Sequence, residues 1–239
     1  MKTAFFLAIA LPVMAFGQTK NVLSIERVFP KIEKAAEFNK ALANHAQKYH
    51  TGNWKWRVYD ITTGPDYGGV MIVEGPNSWM DIDKRGDISA EHMDDWNKNI
   101  APLIMQDQQS QMLEYEEALS SVPLNQFTKW INITHWYQNP GYTGVTTDLI
   151  KQLKTLWTAE NETVAVYTVS SSGAPQFALV TRYKDGLAQR DMAGKLTLPE
   201  RFTKVNGAAA WSTYISNFQR AINKTWSEIL MYREDVSSK

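Results

Sequence analysis

The feature that most constrains the fold of this chain is an internal repeat. The segment Leu113–Ser121 reads LEYEEALSS, and Leu230–Ser238 reads LMYREDVSS. A second pair, Val58–Thr63 (VYDITT) and Val166–Ser171 (VYTVSS), recurs in the same order. Two copies of one supersecondary unit are expected to pack as a pair with approximate twofold symmetry. We therefore predict two similar halves.

Each half shows the same order of strands and helices. Alternating strands at Val22–Phe29 and Trp130–Tyr137 open the halves, and a helix with an apolar stripe follows each of them. A hairpin of two strands, a second helix and a closing Leu-x-Tyr strand complete the unit. The order is βαββαβ in both copies, so we predict an α+β fold with one ferredoxin-like repeat over residues 21–120 and another over 129–236.

This double βαββαβ order resembles a tandem member of the dimeric α/β-barrel superfamily. The resemblance spans Asn21 to Asp235 and depends on element order and repeat symmetry rather than on a diagnostic motif. It implies an intramolecular barrel, in which the open face of one sheet covers the open face of the other. The superfamily includes antibiotic-biosynthesis-type and haem-degrading monooxygenases, chlorite dismutases and lactone isomerases, so the fold alone does not define a reaction.

The first residues have the layout of a secretory signal peptide. Lys2 precedes an apolar run from Ala4 to Phe16, and small residues stand three and one positions before Gln18. The run is shorter than the roughly 20 apolar residues that a membrane-spanning helix needs. We predict a signal peptide over residues 1–17, a secreted or periplasmic location and no membrane span in the mature chain.

Composition excludes several classes of function. The sequence contains no cysteine, so disulfides and thiol chemistry are excluded. Basic and acidic residues number 25 each, whereas a nucleic-acid-binding protein needs a basic stripe. The four histidines lack the spacing of common zinc motifs. The sequence therefore predicts neither nucleic-acid binding nor a metal site.

A cofactor is not predicted either. Haem-degrading members of the superfamily use an Asn on the first strand together with a Trp and a His further on. Trp79 and His92 follow in that order, but Ser24 occupies the strand position where the resemblance requires Asn. This departure argues against haem.

The candidate site residues come from strand alternation. Trp56 and Val58 are apolar, as are Val164 and Val166 at the matching positions, so we assign this face to the helices and the opposite face to the barrel. In the opening strands the polar alternate residues are likewise assigned to the barrel. The residues predicted to line the barrel or its mouth are Glu26, Arg57, Tyr59, Asn132, Thr134 and Tyr167.

The predicted catalytic residues are Glu26, Arg57 and Tyr59. A carboxylate, a guanidinium and a phenol could orient a small polar or aromatic ligand and shift one another's pKa values. The alternative is structural, because a buried ion pair with a tyrosine hydrogen bond also satisfies polar groups between two sheets. The predicted ligand-binding residues are Asn132, Thr134, Tyr167 and His92.

Three functions follow from these observations. The first is an exported small-molecule-binding protein without chemistry of its own. The second is a cofactor-independent monooxygenase or isomerase for an aromatic or quinone-like substrate, in which Glu26 or Tyr59 moves a proton and Arg57 stabilises an enolate. The third is a structural scaffold for a protein partner. A filled space between the two sheets would favour the scaffold.

Overall fold

The computed structural model describes residues 19–170 and 173–239, and the predicted signal peptide lies outside them. The strands are β1 (Val22–Val28), β2 (Trp56–Ile61), β3 (Val70–Asn77), β4 (Gln109–Tyr115), β5 (Trp130–Gln138), β6 (Val164–Ser170), β7 (Gln176–Tyr183) and β8 (Ile222–Tyr232). The helices are α1 (Ala35–Tyr49), α2 (Trp79–Arg85), α3 (Ala90–Asp95), α4 (Thr143–Ala159), α5 (Leu198–Asn206) and α6 (Ala210–Ala221). In the described part of the chain, no helix is long and apolar enough to cross a bilayer.

The eight strands close into one antiparallel barrel in the order β1-β3-β2-β8-β5-β7-β6-β4. Each half contributes a four-stranded sheet, in the order β4-β1-β3-β2 for the first and β8-β5-β7-β6 for the second. Pairing of β2 with β8 and of β4 with β6 joins the two sheets at their edges. The predicted fold of two tandem ferredoxin-like units is confirmed.

Strand register shows that the halves correspond residue by residue. Ser24 of β1 pairs with Glu74 of β3, and Asn132 of β5 pairs with Thr181 of β7. The same equivalence aligns the closing strands, since Leu113 and Leu230 occupy matching positions opposite β1 and β5. The repeat that is visible in the sequence is therefore a repeat in three dimensions.

Three hydrophobic cores fill the molecule. One lies inside the barrel and takes inward side chains from all eight strands. A second lies between the first sheet and α1, around Phe38 and Leu42. The third lies between the second sheet and helices α4 to α6, around Leu149 and Phe202. Both faces of each sheet are thus covered, and the barrel interior is itself an apolar core.

The repeated Ser-Ser pairs explain why the closing segments resemble each other. After β4, Ser120 accepts a hydrogen bond from the backbone N–H of Val166 at 2.8 Å, in the opposite half. After β8, Ser237 accepts one from the N–H of Val58 at 2.9 Å. Each closing segment therefore accepts a hydrogen bond from a backbone N–H on an edge strand of the other half.

The helical layer of the first half differs from the prediction. The sequence suggests one long second helix after Ser89, and Ser89 does cap α3 by accepting from the N–H of His92 at 3.1 Å. That helix instead ends within two turns and continues as a π-helical turn over Trp96–Ile100. The additional helix α2 precedes it, capped by Ser78.

Candidate functional site

The interior of the barrel is nearly filled by side chains. The remaining cavity has a volume of about 60 Å³, whereas pockets for organic ligands run from roughly 300 to 1,000 Å³. Its lining is predominantly apolar, with Ile25, Val73 and Ile133 among the wall residues. The space between the sheets can therefore hold a few water molecules but no organic substrate.

One end of the barrel is closed by a buried ion-pair network. Arg27 donates to Glu228 at 2.9 Å, and His135 contacts the same carboxylate at 3.0 Å. Arg27 also donates to Asp66 at 2.8 Å. Every polar group of this network has a partner, so the network satisfies charges between the sheets.

The other end is closed by two arginines and an aromatic ring. Arg57 lies 3.7 Å from the ring centre of Phe127, and Arg182 lies 5.1 Å from it. Arg57 donates to the carbonyl of Gly75 at 2.7 Å, and Arg182 donates to the Tyr167 hydroxyl at 2.8 Å. Both guanidinium groups are therefore engaged in holding the barrel mouth.

The structure does not bring the predicted catalytic residues together. Arg57 lies at the mouth of the barrel, and Tyr59 extends from the mouth into its interior. Glu26 lies on the opposite, helix-facing side of the sheet. The prediction that Glu26 lines the barrel is wrong. Its apolar neighbours Leu23 and Ile25 point inward instead, because the closed barrel interior is drier than the face that the helices cover only in part.

The prediction that Asn132 and Thr134 line the barrel is also wrong, because apolar side chains occupy the barrel interior. The inward residues of β5 are Ile131 and Ile133, so Asn132 and Thr134 face the helical side, where they hydrogen-bond to each other at 3.1 Å. Tyr167 does lie inside the barrel, buried against Arg182. Burial raises the pKa of Tyr59 to about 12, so its phenol stays protonated at neutral pH.

A larger cavity lies on the helix-facing side of the first sheet. Its volume is about 370 Å³, which falls within the range of ligand pockets. Strands β1 to β4 form its floor, and α2 with the following Gly86 forms its wall. The polar and aromatic lining residues are Ser24, Glu26, Trp56, Glu74, Asp83, Arg85 and Ser110.

Glu74 is the centre of the polar contacts in this cavity. Its Oε2 accepts hydrogen bonds from the Trp56 indole at 3.0 Å, from Arg85 at 3.1 Å and from the His50 ring at 3.1 Å. Burial by itself would raise the pKa of Glu74, but these donors and their charge hold it below its ordinary value. Glu74 is therefore ionised, and its hydrogen bonds fix the positions of Trp56, Arg85 and His50 around the cavity.

Glu26 has the opposite electrostatic environment. Its side chain is exposed to the cavity, yet the surrounding protein restricts its solvation. This burial, together with the negative charge of Glu74, raises the pKa of Glu26, while Arg85 and His92 oppose the shift. Two carboxylates in one cavity whose pKa values are displaced in opposite directions are typical of acid–base sites.

His92, which the sequence placed among the ligand-binding residues, belongs to a buried cluster next to this cavity. His45 of α1, His50 at the end of α1 and His92 of α3 each present one ring nitrogen within 4.8 Å of the others. Burial lowers the pKa of His45 to about 4, with a further contribution from the neighbouring imidazoles, although its bond to Asp95 opposes the shift. Glu74 connects the cluster to the cavity through His50.

Among the residues that the structure describes, the second half has no equivalent pair of carboxylates. Thr134, Thr181 and Val164 stand where the first half has Glu26, Glu74 and Trp56. The helix-facing side of the second sheet is packed with large apolar residues instead. The second half therefore lacks the two strand carboxylates, and the charged group next to its sheet is Arg190, which donates to Asn132 at 3.1 Å.

No family model and no curated protein matches this sequence, but solved structures match it in fold. An anthrone oxidase-like protein superposes with a TM-score of 0.57 at 9% identity, over 90% of this chain and 92% of its own. Putative monooxygenases from Fusobacterium nucleatum and Lactobacillus acidophilus give TM-scores of 0.56 and 0.52 at 14% and 10% identity. They cover 88% and 91% of this chain, and 91% and 95% of their own.

These comparisons establish the fold of the chain. At such identities the likeness concerns architecture: the chain has the dimeric α/β-barrel fold, with both halves in one polypeptide. The resemblance that the repeat suggested is confirmed at this level.

Sequence reasoning missed Glu74, Arg85 and the histidine cluster. Glu74 follows the apolar run VMIV on β3, and a charged residue at the end of such a buried strand was the available signal. Arg85 lies on a helix that the sequence did not predict. His45 and His50 lie on α1 and at its end, whereas His92 lies on α3, and their spacing along the chain gives no indication that they meet.

Proposed function

We propose that the protein binds a small aromatic molecule in the cavity of the first half and that Glu26 removes a proton from it. This is the monooxygenase or isomerase hypothesis, transferred from the barrel to the helix-facing side of the sheet. The observation that carries it is the cavity of about 370 Å³ in which Glu26 lies beside the anchored Glu74 and Arg85. The nearly filled barrel supports this location.

Three side chains have different roles in the proposed reaction. Glu26 is free of the hydrogen bonds that fix Glu74, so its carboxylate can accept a proton. Arg85 lines the cavity and donates to Glu74 at 3.1 Å, so its positive charge is held where negative charge develops on the substrate. Trp56 offers its indole ring as part of the cavity wall.

Proton removal from an acidic C–H group leaves a carbanion. In the isomerase case the proton returns at another carbon. In the monooxygenase case dioxygen is the oxidant: one oxygen atom forms the carbonyl of the product, and the other leaves as water with the two hydrogens of the substrate methylene. The named structural neighbours favour the second course, and both courses require Glu26 as base.

The test uses anthrone, whose methylene group is weakly acidic, as the probe. We expect the wild-type protein to accelerate dioxygen uptake and anthraquinone formation above the background oxidation. The substitution Glu26→Gln should lower this rate by about 10²- to 10⁴-fold, while the affinity for anthraquinone changes little. The wild-type rate should rise with pH through the elevated pKa of Glu26, because the base must be ionised.

The matched control is Glu37→Gln, which removes one carboxylate from the exposed surface of α1. It should leave rate and affinity unchanged. Full activity of Glu26→Gln would contradict the proposed role of Glu26. Binding of anthraquinone without any turnover by the wild-type protein would support the alternative of a binding protein without chemistry.

We also propose that the protein acts after export. The charged, apolar and small-residue regions of residues 1–17 support this location. Cell fractionation should find the protein outside the cytoplasm, and sequencing of its amino terminus should begin at Gln18. An intact Met1 on protein recovered from the cytoplasm would contradict export.

A further inference from the structure

Three buried histidines next to the cavity form a group that the proposed proton transfer does not use. His45 and His50 are fully buried, and His92 is 8% exposed. The Nε2 atoms of His50 and His92 lie 3.2 Å apart. The Nε2 of His45 is buried without a hydrogen-bond partner among the described residues. An arrangement that leaves such an atom unpaired in the interior is costly unless something binds there.

The Nδ1 atom of each of the three imidazole rings contacts a carboxylate. The Nδ1 of His45 contacts Asp95 at 2.7 Å, and the Nδ1 of His92 contacts Asp87 at 3.1 Å. The Nδ1 of His50 contacts Glu74 at 3.1 Å. A carboxylate is an acceptor only, so each Nδ1 carries the proton and each Nε2 presents a lone pair. This is the outer-shell arrangement that orients histidine ligands of metal ions.

The lone pairs converge on one small space. With the tautomers that the carboxylates assign, the Nε2 atoms of His50 and His92 are two acceptors 3.2 Å apart, with no proton to share. Such a contact is repulsive in the interior unless a cation lies between the two atoms, either an extra proton on one imidazole or a metal ion. We propose that His45, His50 and His92 bind one divalent transition-metal ion, with Zn²⁺ as the best-fitting member of that class.

The distances agree with this assignment. A Zn–N bond of about 2.0–2.1 Å in a tetrahedral site places two nitrogen ligands roughly 3.3 Å apart. The separation of 3.2 Å between the Nε2 atoms of His50 and His92 already matches this value. Each of the three residues offers a ring nitrogen within 4.8 Å of the others, so the set is completed when the His45 ring moves toward the other two.

The ligand chemistry selects the class of metal. Three neutral imidazoles suit Zn²⁺, Co²⁺, Ni²⁺ or Cu²⁺, whereas Ca²⁺ and Mg²⁺ require oxygen ligands. Aromatic side chains surround the group: Trp56 stacks on His50 with ring centres 3.4 Å apart, and Trp96 and Tyr49 pack against the other two histidines. These rings provide an apolar shell that strengthens the binding of the ion.

The ion would also connect elements that are distant in sequence. His45 and His50 come from α1 and its end, and His92 comes from the short helix α3. Binding therefore fixes the interrupted helical layer of the first half against α1. Through Glu74 it also fixes one wall of the cavity.

The first experiment measures metal binding directly. The full chain, prepared without a polyhistidine tag and treated with a chelator, is titrated with Co²⁺ and, by calorimetry, with Zn²⁺. We expect one ion per chain, with the visible absorption band of tetrahedral Co²⁺. Zinc at about 100 times its Kd should raise the Tm by roughly 5–10 °C, since it binds only the folded state. A wild-type chain that takes up neither ion would overturn the proposal.

The substitutions His50→Gln and His92→Gln should abolish this binding. The matched control is His135→Gln, which removes the fourth histidine, a buried residue in the other half, and should leave the stoichiometry at one. Because buried substitutions can impair folding, a second pair uses exposed positions. Asp87→Asn should weaken Zn²⁺ binding about 10- to 100-fold by loss of the contact to His92, whereas Asp94→Asn, on α3 with His92, should not.

Unchanged metal affinity in Asp87→Asn, together with one-to-one binding that survives His92→Gln, would place the ion elsewhere and overturn the assignment. The outcome is independent of the proposed enzymatic function. Metal titration requires no substrate, and Glu26→Gln should bind Zn²⁺ as the wild type does.

Discussion

At the scale of single residues, Glu228 shows how one buried carboxylate links the two halves. Glu228 belongs to β8 of the second half and is 1% exposed, while its partner Arg27 belongs to β1 of the first. Burial by itself would raise the pKa of Glu228, but the hydrogen bonds from Arg27 and His135, with the charge of Arg27, hold it below its ordinary value. The carboxylate therefore stabilises the folded state in its ionised form.

This depressed pKa predicts a loss of stability in acid. A carboxyl group whose folded pKa is below its unfolded pKa contributes stability above the unfolded value of about 4.3, and this contribution is lost as the pH falls through the folded pKa. Glu228→Gln should lower the free energy of unfolding at neutral pH by about 3 kcal/mol, since Arg27 loses its buried partner. The decrease between neutral pH and about pH 3.5 should be smaller than in the wild type.

Urea denaturation at both pH values measures these two effects. Glu33→Gln, on the exposed surface near α1, is the control and should keep the wild-type pH dependence. An acid sensitivity that is identical in Glu228→Gln and in the wild type would show that Glu228 does not supply this stabilisation.

At the scale of elements, the closing segments exchange hydrogen bonds between the halves. Ser120 donates to the carbonyl of Glu116 at 2.8 Å while it accepts from Val166. Ser237 repeats this arrangement by donating to the carbonyl of Arg233 at 2.6 Å. The most recognisable part of the sequence repeat is thus the part that fastens each half to the other.

We expect Ser120→Ala and Ser237→Ala each to lower the free energy of unfolding by about 1–3 kcal/mol, because each leaves a buried backbone N–H without an acceptor. The two sites share no partner, so the double variant should lose about the sum. Ser212→Ala, on the exposed surface of α6, should change the stability by less than about 0.5 kcal/mol. Chemical denaturation compares the four proteins, and a neutral effect of both serine substitutions would refute the role of these contacts.

At the scale of the whole molecule, neither half can bury its own inner sheet face. Leu23 and Ile25 of the first half pack inside the barrel with Ile131 and Ile133 of the second. Burial of apolar surface contributes about 25 cal/mol per Å², so separation of the halves would expose an unfavourable apolar face on each. Barrel closure is therefore a large part of the stability of either half.

Expression of residues 19–122 alone should consequently not give a stable monomer. We expect this fragment to bind a hydrophobic dye and to elute as a dimer or larger species. Co-expression with residues 129–239 should restore a one-to-one complex that excludes the dye. Light scattering after size exclusion measures both outcomes, and a monomeric fragment that does not bind the dye would contradict the importance of closure.

The sequence predicted the architecture because repetition and alternation are local patterns. The period of two in β1 and β5 identified strands with two different faces, and the matching segments around Tyr59 and Tyr167 aligned the halves. The same period does not reveal which face points inward. The prediction placed Glu26 and Thr134 inside because they are polar, whereas the closed barrel selects apolar side chains.

The site depended on contacts that no local pattern records. His50 and His92 are 42 positions apart and meet only because α3 packs beside the end of α1. Glu74 gains its depressed pKa from donors on three other elements. By itself, the sequence determined the repeated βαββαβ order, since periodicity and hydrophobicity are properties of the chain, while the barrel was implied by the resemblance that this order carries. Only the tertiary structure decided which side chains share a cavity, because burial and electrostatics depend on neighbours that are distant in sequence.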